Sequence, residues 1–144
     1  IGIAGYPEKH FESPNLKADI EIVRSKIKAG ANYIVTQMFY DNKHYFNYVN
    51  LCRNEDINIP VIPGLKIITT KKHLTSLPRD FYIDIPEDLY KEIMEADDKH
   101  VIDVGVEWAC KQVEELLNSK VPAVHFYILQ NSKPIQMLFK KLKL

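Results

Sequence analysis

Apolar positions along the chain recur with two different spacings, and those spacings predict its elements. Residues 1–4 are a short apolar run that reads as a strand. Leu16, Ile20, Val23 and Ile27 then follow at steps of four, three and four, which is one face of a helix. Ser13-Pro14 predicts its start, with Ser as N-cap and Pro at the first helical position, and Gly30 predicts its end. Residues 33–39 form a second apolar run. Its β-branched Ile34-Val35 centre shows little alternation, as in a strand covered on both faces. The next helix has Asp41 or Asn42 as N-cap. It carries Phe46, Val49 and Cys52 on one face, with Tyr45 and Leu51 near the edges. A third strand is expected over 59–65, although Pro60 and Pro63 fit poorly in a central strand. A short helix ending at Pro78 and another opened by Asp84 and Pro86 come next. A longer helix over about 99–118 buries Ile102, Val106, Ala109, Val113 and Leu116. The run 121–129 is the fourth strand, and a basic, partly amphipathic helix closes the chain.

Strands alternating with helices predict a parallel sheet with right-handed crossovers. Four strands suit half of a (β/α)8 barrel or a small open sheet. In both, ligands gather at the carboxyl ends of the strands. The 144 residues make one domain, and 46% apolar content allows a real core. The 19 basic residues are matched by 19 acidic ones, which argues against nucleic-acid and membrane-surface partners. No apolar run is long enough for a membrane span and no signal-peptide pattern occurs, so a cytoplasmic protein is expected. Cys52 and Cys110 read as buried thiols in a reducing compartment. Because "IGIAG" opens as a strand already in progress, residues 1–144 are expected to be a fragment of a longer chain.

Polar residues concentrate at the predicted strand ends. They are Tyr6, Glu8, Lys9 and His10; Gln37; Lys66, Thr69, Thr70 and His73; and His125, Tyr127, Gln130 and Asn131. Tyr6 could simply pack on Pro7 in a turn, and His10 could be a solvated loop residue. His125 reads better as a satisfied core histidine. Gln37 favours function, because an amide inside an apolar strand must find partners once buried. Asp19 and Lys26 share one helical face. They form either an exposed charged stripe or a ligand-side pair, Asp19 meeting a ribose hydroxyl and Lys26 a phosphate or adenine edge. No phosphate-binding glycine pattern, metal motif or nucleophile elbow is present. These residues read as walls that hold a ligand, with no metal expected.

The stretches "GYPEKH", "AGANYIVTQMFYD", "IPVIPGLK" and "VPAVHFY" resemble, in order and spacing, the C-terminal half of methylenetetrahydrofolate reductase. The likeness runs from residue 1 to about 129. It implies the second half of a (β/α)8 TIM barrel, strands five to eight, within an FAD-binding enzyme. That family reduces 5,10-methylenetetrahydrofolate to 5-methyltetrahydrofolate in one-carbon metabolism. NADH or NADPH first reduces the flavin and leaves, and the folate takes its place. The resemblance gives Tyr6 and His10 contacts along the ribityl and diphosphate part of FAD. It gives Asp19 and Lys26 contacts near the adenosine end, and Gln37 and His73 contacts with the folate. Where many members read "HFYTLNR", this chain reads "HFYILQN", so Asn131 replaces a ligand-binding Arg. The family's general-acid Glu belongs to the other half, and Glu8 and Glu12 are in the wrong place for it. No catalytic residue is therefore expected within the chain. The fragment alone is expected to be inactive and to self-associate, or to need the missing N-terminal half. The rival readings are a non-catalytic half-barrel module with a separate partner, and another flavin- or phosphate-binding barrel enzyme.

Overall fold

Four strands lie side by side in sequence order, and every pair is parallel. They are β1 (Gly2–Gly5), β2 (Tyr33–Met38), β3 (Val61–Leu65) and β4 (His125–Phe126). The structure, a computed structural model, describes residues 1–129 and 131–144; Gln130 lies outside the described residues. Among the described residues, six α-helices accompany the sheet. They are α1 (Leu16–Lys28), α2 (Asn42–Asn54), α3 (His73–Phe81), α4 (Glu87–Glu95), α5 (Val101–Asn118) and α6 (Lys133–Leu142), with a 3-10 turn at Asp98–His100 before α5. This α/β order with a parallel four-stranded sheet is consistent with part of a (β/α)8 barrel.

The core lies on one face of the sheet. Ile34, Val61 and Leu65 point there, against Ile20 and Val23 of α1, Tyr45, Tyr48 and Cys52 of α2, Val106 and Val113 of α5, and Leu138 of α6. A second cluster, including Met38, Ile68, Leu77, Leu89 and Ile93, seats α3 and α4 near the carboxyl ends of the strands. The opposite face is uncovered. Strand alternation puts Ala4, Val35, Gln37, Ile62 and His125 on it, all exposed or half-buried. The Ile34-Val35 centre is thus covered on one side only, contrary to the expectation. Both cysteines are buried and free.

Several boundaries move for identifiable reasons. Asn15, not Ser13, caps α1, its side chain accepting Ala18 N at 3.0 Å. Gly30 does close that helix. At φ 107° it donates to Ile27 O, while Ala31 N reaches Lys26 O, so two orphan carbonyls are satisfied by a Schellman turn. Asp41 caps α2, and that helix buries Tyr45, Tyr48 and Cys52, leaving Phe46 and Val49 half-buried.

Pro63 is accommodated because β2 bulges opposite it. Regular pairing breaks between Val35 and Met38, and Gly64 N donates to the Thr36 hydroxyl at 2.9 Å. Pro78 sits inside α3 rather than ending it. The helix runs to Phe81 and stops at Tyr82, which is left-handed and donates to Pro78 O. The fourth strand is shorter than expected, with two residues paired and Tyr127 N adding one bond to Leu65 O. No described helix is long and apolar enough to cross a membrane.

Candidate functional site

The loop between β1 and α1 is shaped by its own side chains. Tyr6-Pro7-Glu8-Lys9 forms a turn, Pro7 supplying the fixed φ and Lys9 N donating to Tyr6 O at 3.1 Å. Lys9 adopts φ 80°, costly for a residue with a Cβ, and its Nζ is tied to Ser13 O at 2.7 Å. Asp19 pins the far end of the loop to α1. Its carboxylate is 5% exposed and accepts His10 N at 2.6 Å and the Ser13 hydroxyl. This is why Ser13 does not cap the helix.

The pinned loop and α1 enclose a cleft of about 330 Å³, lined by Tyr6, His10, Asp19 and Lys26 with Ala4 and Ile22. The imidazole of His10 stands edge-on to the Tyr6 ring, centroids 4.5 Å apart. Its Nδ1 accepts Glu12 N at 3.3 Å, so the neutral ring carries its proton on Nε2. Lys26 is exposed, whereas Asp19 is buried, so the two are not a solvated stripe. At 1.5 Å per residue they lie roughly 10 Å apart along the helix, which makes the cleft elongated.

A second cavity of about 350 Å³ opens at the carboxyl ends of β3 and β4, lined by Lys66, Thr69, His73, Tyr127 and Asn131. His73 Nδ1 accepts Thr69 N at 3.3 Å, leaving Nε2–H as its donor. Burial holds its pKa below the usual 6.5, and the nearby Lys66 charge adds to the effect. Burial also lowers the Lys66 ammonium, and no acidic group among the described residues pairs with it. Asn131 uses its Oδ1 to accept Lys133 N at 2.9 Å at the start of α6. The Tyr127 hydroxyl donates to Thr36 O at 2.8 Å, and its pKa is raised by burial and by the neighbouring Tyr6 hydroxyl. Tyr6 lines the first cavity and Tyr127 the second.

Of the six candidate residues, Tyr6, His10, Asp19 and Lys26 meet in the first cavity, and His73 lies in the second. Gln37 lines neither; it is the penultimate residue of β2, on the uncovered face. Its Oε1 turns back to accept Met38 N at 3.0 Å, leaving its amide N–H groups unengaged among the described residues. His125 is not a core residue. It is exposed, with its ring edge-on to Tyr127 at 4.6 Å. Lys66 stands among the polar residues expected at the strand ends, but the sequence assigns it no role. A lysine directly after an apolar strand, with no acid nearby in sequence, was the available signal.

Comparison with known proteins gives the family. The family model for methylenetetrahydrofolate reductase matches residues 1–143. The chain belongs to the methylenetetrahydrofolate reductase family. It is 34% identical to methylenetetrahydrofolate reductase 2 of Saccharomyces cerevisiae, an alignment covering 100% of this chain and 25% of that protein. It is 31% identical to the 5,10-methylenetetrahydrofolate reductase of Buchnera aphidicola from Acyrthosiphon pisum, over 92% of this chain and 46% of that one. The chain thus spans between about a quarter and a half of these two relatives. Among solved structures, an uncharacterised protein from Clostridium thermocellum that binds two copies of 5-methyl-5,6,7,8-tetrahydrofolic acid shares the fold. Its TM-score is 0.62 at 19% identity, covering 99% of this chain and 52% of that one.

Proposed function

We propose that this chain forms the flavin- and folate-facing wall of a reductase that converts 5,10-methylenetetrahydrofolate to 5-methyltetrahydrofolate. FAD is the cofactor, NADH or NADPH the reductant, and the four β/α units are strands five to eight of the barrel. The observation that carries this reading is the meeting of Tyr6, His10, Asp19 and Lys26 in one elongated cleft at the carboxyl end of β1.

FAD suits the donors present. His10 offers Nε2–H and Tyr6 an aromatic ring with a hydroxyl on the N-terminal side of α1, and Lys26 in the last turn of that helix offers an exposed cation at the distal end of the cleft. Bound there, FAD would supply the hydride chemistry that amino-acid side chains lack. Asp19 acts mainly as a positioning residue, since both its oxygens already hold the loop that carries His10. On the substrate side, the free amide donors of Gln37 and Nε2–H of His73 suit the polar edge of a pterin. Lys66 supplies a cation for an anionic substrate tail, a charge that Asn131 lacks. Of the two carboxyl groups that line the first cavity, Asp19 already holds the loop with both oxygens and Glu12 lies on the cofactor side, and among the described residues none lines the second cavity; the 144 residues alone are expected to be inactive.

Equilibrium dialysis of 5-methyltetrahydrofolate tests the substrate side. Lys66→Ala is expected to weaken binding about tenfold, the loss of one charge-assisted contact. Equal affinity in wild type and Lys66→Ala would remove Lys66 from the site.

A further inference from the structure

Apart from both cavities, three ligating side chains from distant parts of the chain come together. Glu8 follows β1, His44 stands in the first turn of α2, and Asp84 lies between α3 and α4. One ligand atom from each falls within 4.8 Å of the other two. The Glu8 side chain is 8% exposed, with Oε1 3.3 Å from His44 Nε2 and accepting Asp84 N at 3.0 Å. Its other oxygen, Oε2, is buried without a hydrogen-bond partner. A buried acceptor left unpaired is costly, and this one sits on the carboxyl group that His44 and Asp84 flank. Two carboxylates and one imidazole also leave excess negative charge at the spot.

The spacing suits a shared ion. A charge-assisted N–H···O bond would be about 2.7–2.9 Å. The observed 3.3 Å is close to the ~3.4 Å between an imidazole nitrogen and a carboxylate oxygen bound tetrahedrally to one ion at ~2.1 Å. An imidazole with carboxylates selects a first-row transition ion over Mg²⁺ or Ca²⁺, which prefer all-oxygen sites. We propose that Glu8, His44 and Asp84 form a binding site for a divalent transition-metal ion of the Zn²⁺ kind, with a remaining position open to water. The ion ties the loop after β1 to α2 and to the segment before α4. It thereby fixes the loop that carries Tyr6 and His10. The site stands independently of the flavin reading, since its ligands line neither cavity.

The test uses the tag-free chain and the metal alone. Co²⁺ titration is expected to saturate at one ion per chain with visible d–d absorption, and Zn²⁺ to displace it and raise the melting temperature. His44→Ala, at a half-exposed helix position, should weaken binding at least about tenfold and abolish the Zn²⁺ shift. Glu8→Gln should do the same, with circular dichroism confirming that both variants are folded. Glu87→Gln, an exposed carboxylate paired with Lys91, should bind as wild type does. Co²⁺ or Zn²⁺ binding that is absent in the wild type, or unchanged in His44→Ala, overturns the proposal.

Discussion

Asp19 holds a loop that lies next to it only in the folded chain. Its place on the ligand side of α1 follows from helical spacing. That the loop folds back and occupies both its oxygens does not, because His10 and Ser13 reach it only in three dimensions. Asp19→Ala strands a backbone N–H and a buried hydroxyl. It is expected to lower unfolding stability by about 2–4 kcal/mol, measured as a lower urea midpoint at unchanged slope. At His73 the prediction concerns pH. Burial depresses its folded pKa below 6.5, so as pH falls through 6.5 the unfolded chain takes up a proton first and stability declines. The decline ends once pH passes below the folded value. Urea midpoints measured across this range should show that slope in wild type and lose it in His73→Gln.

Among elements, the helices were the most legible, since apolar steps of three and four mark a buried face whatever the partner. The strands were less so, because pairing depends on a neighbour that the local pattern does not name. Pro63 argued against a central strand, yet β2 supplies a bulge and Thr36 takes the Gly64 N–H that regular pairing would have used. Thr36→Val keeps the shape and removes that acceptor. It is expected to cost about 1–3 kcal/mol by thermal or urea unfolding, with Thr36→Ser recovering most of it. Close packing is equally invisible along the chain. Gly105 lets α5 approach the loop after β3, where a Cβ would run into the Ile68 carbonyl. Gly105→Ala is therefore expected to destabilise by roughly 1–3 kcal/mol.

For the molecule as a whole, the β-α rhythm announced a parallel sheet, and the motif resemblance announced the family. Half a barrel carries with it the expectation of an exposed inner face, and the face opposite the helices is bare among the described residues. Val35 and Ile62 lie half-exposed there beside exposed Ala4, and the unpaired edges of β1 and β4 add to the unsatisfied surface. The chain is expected to self-associate through this face in sedimentation velocity, and Ile62→Glu to shift it toward monomer with unchanged circular dichroism. The central claim is that the cleft along α1 holds the adenosine-bearing cofactor. Titration with FAD and with riboflavin, followed by quenching of flavin fluorescence, tests it most directly. FAD is expected to bind, and Lys26→Glu, at the distal end, to weaken FAD by about tenfold or more while leaving riboflavin unaffected. FAD binding that is absent, or indifferent to both Lys26→Glu and His10→Ala, would contradict it.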